Sequence, residues 1–98
     1  MEKLNSQKRI LLIVEKLVEK TVEGMSNKSL AFELQTQESN ICRDLKILES
    51  VGWIEKSKTN GKWKISPKFG GLSGRIMKGF QSARLKLTEN EAQYASKM

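Results

Sequence analysis

The 98 residues suffice for one domain with a modest core, and 38% hydrophobic and 30% charged residues are typical of a globular chain. One cysteine and no histidine exclude an intrachain disulfide, a Cys/His zinc site and the usual catalytic base. The sequence also lacks a glycine-rich phosphate loop. It therefore predicts a protein that is not an enzyme and uses no metal or cofactor.

The net charge of +7 is concentrated in one part of the chain. Residues 55–88 contain nine basic residues and one acidic residue, whereas residues 1–54 contain eight of each. Such a segment attracts phosphate groups or acidic headgroups, and it also serves as a solubilising surface. The longest uncharged apolar run, residues 10–14, is too short to cross a bilayer or to form a signal peptide, so we expect a cytoplasmic protein.

A first helix is predicted from residue 5 or 6 to residue 22, with Gly24 ending it. Its apolar stripe is wider than one packing face needs, because Leu11 and Leu12 broaden it. Two interpretations fit this width. The helix is either a central core helix packed on two sides, or a helix that also meets a second subunit.

Two further helices, over residues 27–35 and 37–51, are predicted around a short polar turn. Each has apolar residues at helical spacing, and Gly52 follows the second helix where a left-handed cap is common. Phe32 lies off the apolar face of the first of them, so we expect it to pack against the first or the last helix. The predicted inward residues are Leu30, Ala31, Leu34, Ile41, Leu45 and Leu48.

The opposite face of the third helix is polar and carries side chains that suit nucleic acid. Ser39, Arg43, Lys46 and Ser50 follow one another at i, i+4, i+7 and i+11, with Asn40 beside them. Arginine pairs with guanine and asparagine with adenine, while serine and lysine contact phosphate or base edges. A helix–turn–helix with this outer face predicts a helix that reads the major groove.

A basic hairpin is predicted next, because Asn60-Gly61 is a strong turn signal between two short strands. Trp63 and Ile65 alternate with lysines, so one face is apolar and the other basic. The alternation favours Trp53 and Trp63 as core residues rather than as platforms for stacked bases. Cys42, on the edge of the third helix, is interpreted as a small packing residue.

Together these elements resemble a winged helix–turn–helix domain, with LAFELQTQESNICRDLKILESVGWIEK and GKWKISPKF carrying the resemblance. The second stretch is similar to the wing of the N-terminal domain of IclR-type transcriptional regulators, and the match covers about residues 28–69. Gln35 stands where the family often has glycine. The large effector-binding domain of that family has no room in 98 residues, so no small-molecule effector is expected.

The last part of the chain predicts a helix that begins between Leu72 and Arg75. Thr88 and Glu91 form a capping-box pattern, so either a second short helix begins there or the first continues to about Ser96. The long apolar stripe packs on the domain in cis or pairs with a second copy. We expect the pairing, with residues 1–69 as the DNA-binding domain and 70–98 as an extension.

The sequence therefore predicts a mainly α fold with a small β-hairpin wing and an additional C-terminal helix. The expected function is sequence-specific binding of double-stranded DNA by a small dimeric transcriptional regulator without membrane contact. An architectural or protein-interaction module is the alternative, favoured by Glu38 and Asp44 close to the reading face; RNA binding is a weaker one, for lack of a stacking platform.

The predicted site residues form three groups. Those for the major groove are Gln37, Glu38, Ser39, Asn40, Arg43 and Lys46. Those for the DNA backbone, mostly in the wing, are Lys28, Lys56, Lys58, Thr59, Asn60, Lys62 and Lys64. Those for the homodimer interface are Leu11, Leu12, Leu72, Ile76, Phe80 and Leu87.

Overall fold

A computed structural model describes residues 5–96, which form four helices and a two-stranded antiparallel sheet. In chain order the elements are α1 (Ser6–Glu19), α2 (Asn27–Glu33), α3 (Glu38–Ser50), β1 (Ile54–Lys56), β2 (Trp63–Ile65) and α4 (Pro67–Ser96). The predicted α-rich fold with a hairpin and a C-terminal helix is confirmed at this level.

The core lies where α1, α2 and α3 meet the hairpin. All six of the predicted inward residues of α2 and α3 are buried, so the helical spacing identified this face correctly. Both tryptophans and Ile65 pack against the same cluster as partly buried side chains, which confirms them as core residues. The buried cluster contains Ile13, Leu17, Met25, Leu30, Ala31, Leu34, Ile41, Leu45, Leu48 and Ile54.

A buried ion pair joins α1 to α3. The Arg9 guanidinium donates to both carboxylate oxygens of Asp44, through Nε to Oδ2 and through Nη2 to Oδ1 at 3.1 Å. Only 2% of Asp44 is exposed. The expectation that Asp44 lies close to the reading face is therefore wrong, because this carboxylate points inward and is compensated there.

The first helix is shorter than predicted at its C-terminal end. Asn5 caps its start, since the Asn5 side chain accepts from the backbone N–H of Lys8 at 2.8 Å. The helix ends at Glu19 rather than at residue 22. The Thr21 hydroxyl donates to the carbonyl of Val18, and such side-chain bonds to the backbone compete with a regular helix.

Gln35 makes the turn between α2 and α3 in a left-handed conformation, with φ of 53°. The N–H of Thr36 donates to the carbonyl of Ala31 at 3.0 Å, which closes the last turn of α2. Helix α3 then starts at Glu38 and ends at Ser50, and Gly52 follows with φ of 79°. The predicted left-handed position of Gly52 is thus confirmed.

The hairpin pairs Ile54 with Ile65, Glu55 with Lys64 and Lys56 with Trp63. Its loop is wider than a two-residue Asn-Gly turn, because Ser57 pairs with Lys62 through a 2.7 Å N–H···O bond. Within the described residues, Gly61 adopts positive φ whereas Asn60 does not.

The hairpin also pairs with the segment between α1 and α2. Met25 and Trp63 exchange two backbone hydrogen bonds of 2.9 Å. This approach requires glycine at position 24, where φ is 75° and an added Cβ would lie 2.6 Å from the Trp63 carbonyl oxygen. The pairing fixes the hairpin against the body of the molecule.

Helix α4 begins earlier than predicted and runs without a break to Ser96. Ser66 caps it and Pro67 takes the first helical position, which proline favours. Lys68 donates to the Val51 carbonyl at 2.8 Å, and Phe69 packs on Trp53 with ring centroids 5.0 Å apart. Beyond this first turn α4 has no buried residue. No helix within residues 5–96 combines the length and apolar character needed to cross a membrane.

Candidate nucleic-acid interface

The outer face of α3 is exposed over its whole length. Ser39, Arg43, Lys46 and Ser50 are all exposed, while Ile41 and the leucines on the other side are buried in the core. A polar row on a helix seated by its opposite face can enter a groove without disturbing the fold. The structure therefore brings the predicted reading residues of α3 together on one surface.

Two hydrogen bonds position the central side chains of this surface. The Asn40 amide donates to the Thr36 hydroxyl at 3.0 Å, and its oxygen accepts from Nη2 of Arg43 at 2.8 Å. Asn40 is half-buried, whereas Arg43 is exposed. The Arg43 guanidinium is thus held at one edge and keeps its other donors for a ligand.

Gln37 and Glu38 stand at the N-terminus of α3. Gln37 occupies the cap position, but its side chain makes no capping hydrogen bond and is exposed. Glu38 lies in the first turn, where a carboxylate interacts favourably with the helix dipole. Glu38 therefore has a structural reason to be at this position, and its charge would repel a nearby phosphate.

A shallow depression beside this N-terminus connects α3 to α2. Gln37 and Asn40 line it together with Phe32 and Glu33. Phe32 and Glu33 also line a second depression, which contains Lys28 and the hairpin residue Lys62. The reading face and two of the predicted backbone-contact lysines thus border one continuous surface.

Phe32 is located in the middle of that surface and is 84% exposed. The expectation that it packs against the first or the last helix is wrong. Its position off the Leu30–Leu34 face turns it toward solvent, because α2 has only seven residues and one buried side.

The wing residues differ in how freely they can reach a ligand. Lys58, Thr59 and Lys62 are exposed at or near the loop. Lys56 places Nζ 5.7 Å from the centroid of the Trp63 ring, a cation–π contact. Lys64 lies opposite Glu55 and is half-buried.

Asn60 is exposed, and its side chain makes two hydrogen bonds to the backbone. Its amide donates to the Glu23 carbonyl at 3.1 Å, and its oxygen accepts from the N–H of Lys62 at 3.0 Å. The first bond anchors the hairpin loop to the segment between α1 and α2, and the second lies within the loop. The loop therefore presents its exposed lysines from a fixed position.

Comparison with known proteins found no matching family model, no matching curated protein and no matching solved structure. The residues themselves must therefore carry the functional argument. In the described part of the chain, no cluster of three histidine, cysteine or carboxylate residues could hold a metal ion.

Asn27 connects the hairpin to α3, and sequence reasoning missed it. Its side-chain oxygen accepts from Nε1 of Trp63 at 2.8 Å, and its amide donates to Sγ of Cys42 at 2.9 Å. The partners lie 36 and 15 residues away in sequence, so no local pattern could indicate them. Cys42 is half-buried and serves in this contact.

The predicted dimer residues separate into two kinds. Leu12 packs against the core, and Leu72 in α4 is only half-exposed. Leu11, Ile76, Phe80 and Leu87 are well exposed. Three of these four belong to α4, so the exposed apolar surface is concentrated on that helix.

Proposed function

We propose that this chain binds double-stranded DNA as a winged helix–turn–helix protein, with α3 in the major groove and the hairpin as the wing. The observation that carries the proposal is the exposed row of α3, in which Thr36 and Asn40 position Arg43. A guanidinium fixed at one edge is pre-organised for bidentate pairing with guanine. The position of α3 after the left-handed turn at Gln35 suits a helix–turn–helix.

The hairpin supports the proposal through charge and rigidity. Residues 55–66 contain four lysines and one glutamate, and the lysines at the loop are exposed. The loop is anchored by Asn60, and the strand is joined to α2 and α3 through Trp63 and Asn27. Lysines on a fixed wing contact phosphates at a constant distance from the reading helix, which sets register without reading sequence.

Charge on the reading side also permits DNA binding. Residues 24–54 have a formal net charge of −1, but Asp44 is one of their four acidic groups and is paired with Arg9 inside the core. Three basic and three acidic residues remain outside the core in that stretch. Acidic charge in this stretch therefore favours a protein-binding module less than the sequence suggested.

Selection of binding sites from randomised duplex DNA, at a low and a high salt concentration, tests the proposal. We expect recovery of a defined motif, with affinity falling as salt rises. Lys62→Ala should weaken all duplexes similarly and reduce the salt slope by about one unit. Binding without any recovered motif would contradict base reading by α3, and absence of binding would overturn the proposal.

The exposure of Phe32 favours a second candidate, a module that binds another protein. A solvent-facing phenyl ring beside the reading face suits an interface anchor as well as an apolar contact to a thymine methyl. Phe32→Ala distinguishes the two. A loss of DNA affinity with unchanged stability supports DNA binding. Unchanged DNA affinity supports a role of Phe32 in binding a protein partner.

A further inference from the structure

Helix α4 lacks the packing that normally stabilises a helix of its length. None of its 30 residues is buried, and every residue from 73 to 96 is exposed. Four glycines lie within it, and glycine disfavours a helix interior relative to alanine. Since helices in proteins are held mainly by an apolar face against a neighbour, α4 requires a partner surface.

One row of mostly apolar residues along α4 follows a coiled-coil spacing. From Ile76 onward its members recur at alternating intervals of four and three residues, the heptad pattern of positions d and a. The large side chains in this row are well exposed. In order, the row is Ile76, Phe80, Ala83, Leu87, Asn90 and Tyr94.

We propose that a second copy of this chain covers the row, and that the two α4 helices pair as a parallel two-stranded coiled coil. In this register Lys86 occupies a g position and Glu91 the e position five residues later. Residues so placed face each other across a parallel pair, so each dimer gains two Lys86–Glu91 contacts. Leu72 and Met77 also occupy a g position and the e position five residues later, so they extend the apolar contact.

The core of the pair also favours parallel alignment. Asn90 is the polar residue in the row, and in a parallel pair it meets its own copy, so the two amides can bond to each other. In an antiparallel pair with the longest overlap Asn90 faces Ser73, and Lys86 and Glu91 face glycines. Shifting that pair by one heptad sets Arg84 against Arg84 and Lys86 against Lys86, which repel.

A parallel pair places both N-terminal units at the same end of the coil. That arrangement suits two half-sites on one duplex, which symmetric dimers read about one helical turn apart. The pairing itself does not require DNA. A failure of pairing can therefore be distinguished from a failure of DNA binding by measuring the molecular mass of the protein in solution without nucleic acid.

The test is sedimentation equilibrium of the full chain over a wide range of concentration, with a matched pair of variants. Leu87 lies in the row and Leu85 lies on the opposite face, and they are 60% and 61% exposed. We expect Leu87→Lys to weaken dimerisation by roughly tenfold or more, and Leu85→Lys to leave it nearly unchanged. A monomeric protein, or equal effects of both changes, would overturn the proposal.

Charge reversal tests the orientation. Lys86→Glu and Glu91→Lys should each weaken the dimer, and the combined variant should restore it, because only parallel pairing brings these positions together. Disulfide formation by Asn90→Cys in a Cys42→Ser background should link the two copies. A stable dimer without rescue and without this cross-link would contradict the parallel arrangement.

Discussion

Gln35 bears the strain of the turn between α2 and α3. Its φ of 53° lies in the left-handed region, which costs a residue with a Cβ about 1–2 kcal/mol. We expect Gln35→Gly to raise the free energy of unfolding by about 0.5–1 kcal/mol, since glycine removes this strain but loses more chain entropy. Urea unfolding measures it. Gln35→Ala should change little, and a glycine variant less stable than wild type would contradict the turn geometry.

Asp44 shows how a charged residue can be part of the core. It is 2% exposed, and its carboxylate is paired with Arg9. Asp44→Ala should therefore lower the free energy of unfolding by about 3–5 kcal/mol, because it leaves the guanidinium unpaired. Replacing both residues, by Arg9→Met with Asp44→Leu, should recover most of that loss. Thermal or urea unfolding measures both. Glu49→Ala, on the exposed side of α3, is the control, and an equal effect at the two positions would disprove the buried pair.

At the residue scale, the sequence identified positions whose role depends on near neighbours. Gly52 could be placed, and the start of α1 could be narrowed to residue 5 or 6, because caps follow local rules. The pairs Arg9–Asp44 and Trp63–Asn27 join residues 35 and 36 positions apart. Periodicity tells which face a residue occupies but not which residue it meets, so these contacts could not be predicted.

At the element scale, all four helices and the hairpin follow from periodicity and turn chemistry, and their ends depend on competing local bonds. The predicted start of α4 between Leu72 and Arg75 was wrong, because Ser66 caps the helix and Pro67 begins it. The capping-box pattern at Thr88 is not used, because its hydroxyl donates instead to the Arg84 carbonyl at 2.9 Å. The helix therefore continues through Glu91.

Replacing glycine by alanine should have opposite effects on stability in α4 and in the segment between α1 and α2. A Cβ at Gly74 meets nothing within 4 Å, so Gly74→Ala should stabilise α4 by about 1 kcal/mol and increase helicity in circular dichroism. Gly24→Ala should destabilise the protein by at least about 1–2 kcal/mol, because φ is positive and the hairpin carbonyl lies too close. Effects of the same sign at both positions would contradict these environments.

At the scale of the whole molecule, most of the net positive charge lies outside the polar row of α3. The body of α1–α3 and the hairpin carries the polar row of α3, while α4 extends away and gives the molecule dimensions of 66 × 37 × 21 Å. Of the net charge of residues 55–88, α4 contributes five basic residues and the hairpin four lysines. The sequence predicted both the basic hairpin and the helix, but it left open whether that helix packs back on the domain.

This division separates two contributions to binding. Basic residues on α4 raise attraction to any polyanion. Arg43, in contrast, is held by Asn40 on the face that we propose enters the groove. Loss of a long-range charge should therefore affect all duplexes equally. Loss of Arg43 should act mainly on the preferred sequence.

The most direct measurement is the affinity of Arg43→Ala and Arg75→Ala for the selected duplex and for random duplex. Both arginines are exposed, and Arg75 lies on α4 outside the row that Ile76 begins. We expect Arg43→Ala to lose about 1–3 kcal/mol on the selected sequence and much less on random DNA, and Arg75→Ala to affect the two duplexes equally. Equal losses on both duplexes for Arg43→Ala would contradict base reading by α3.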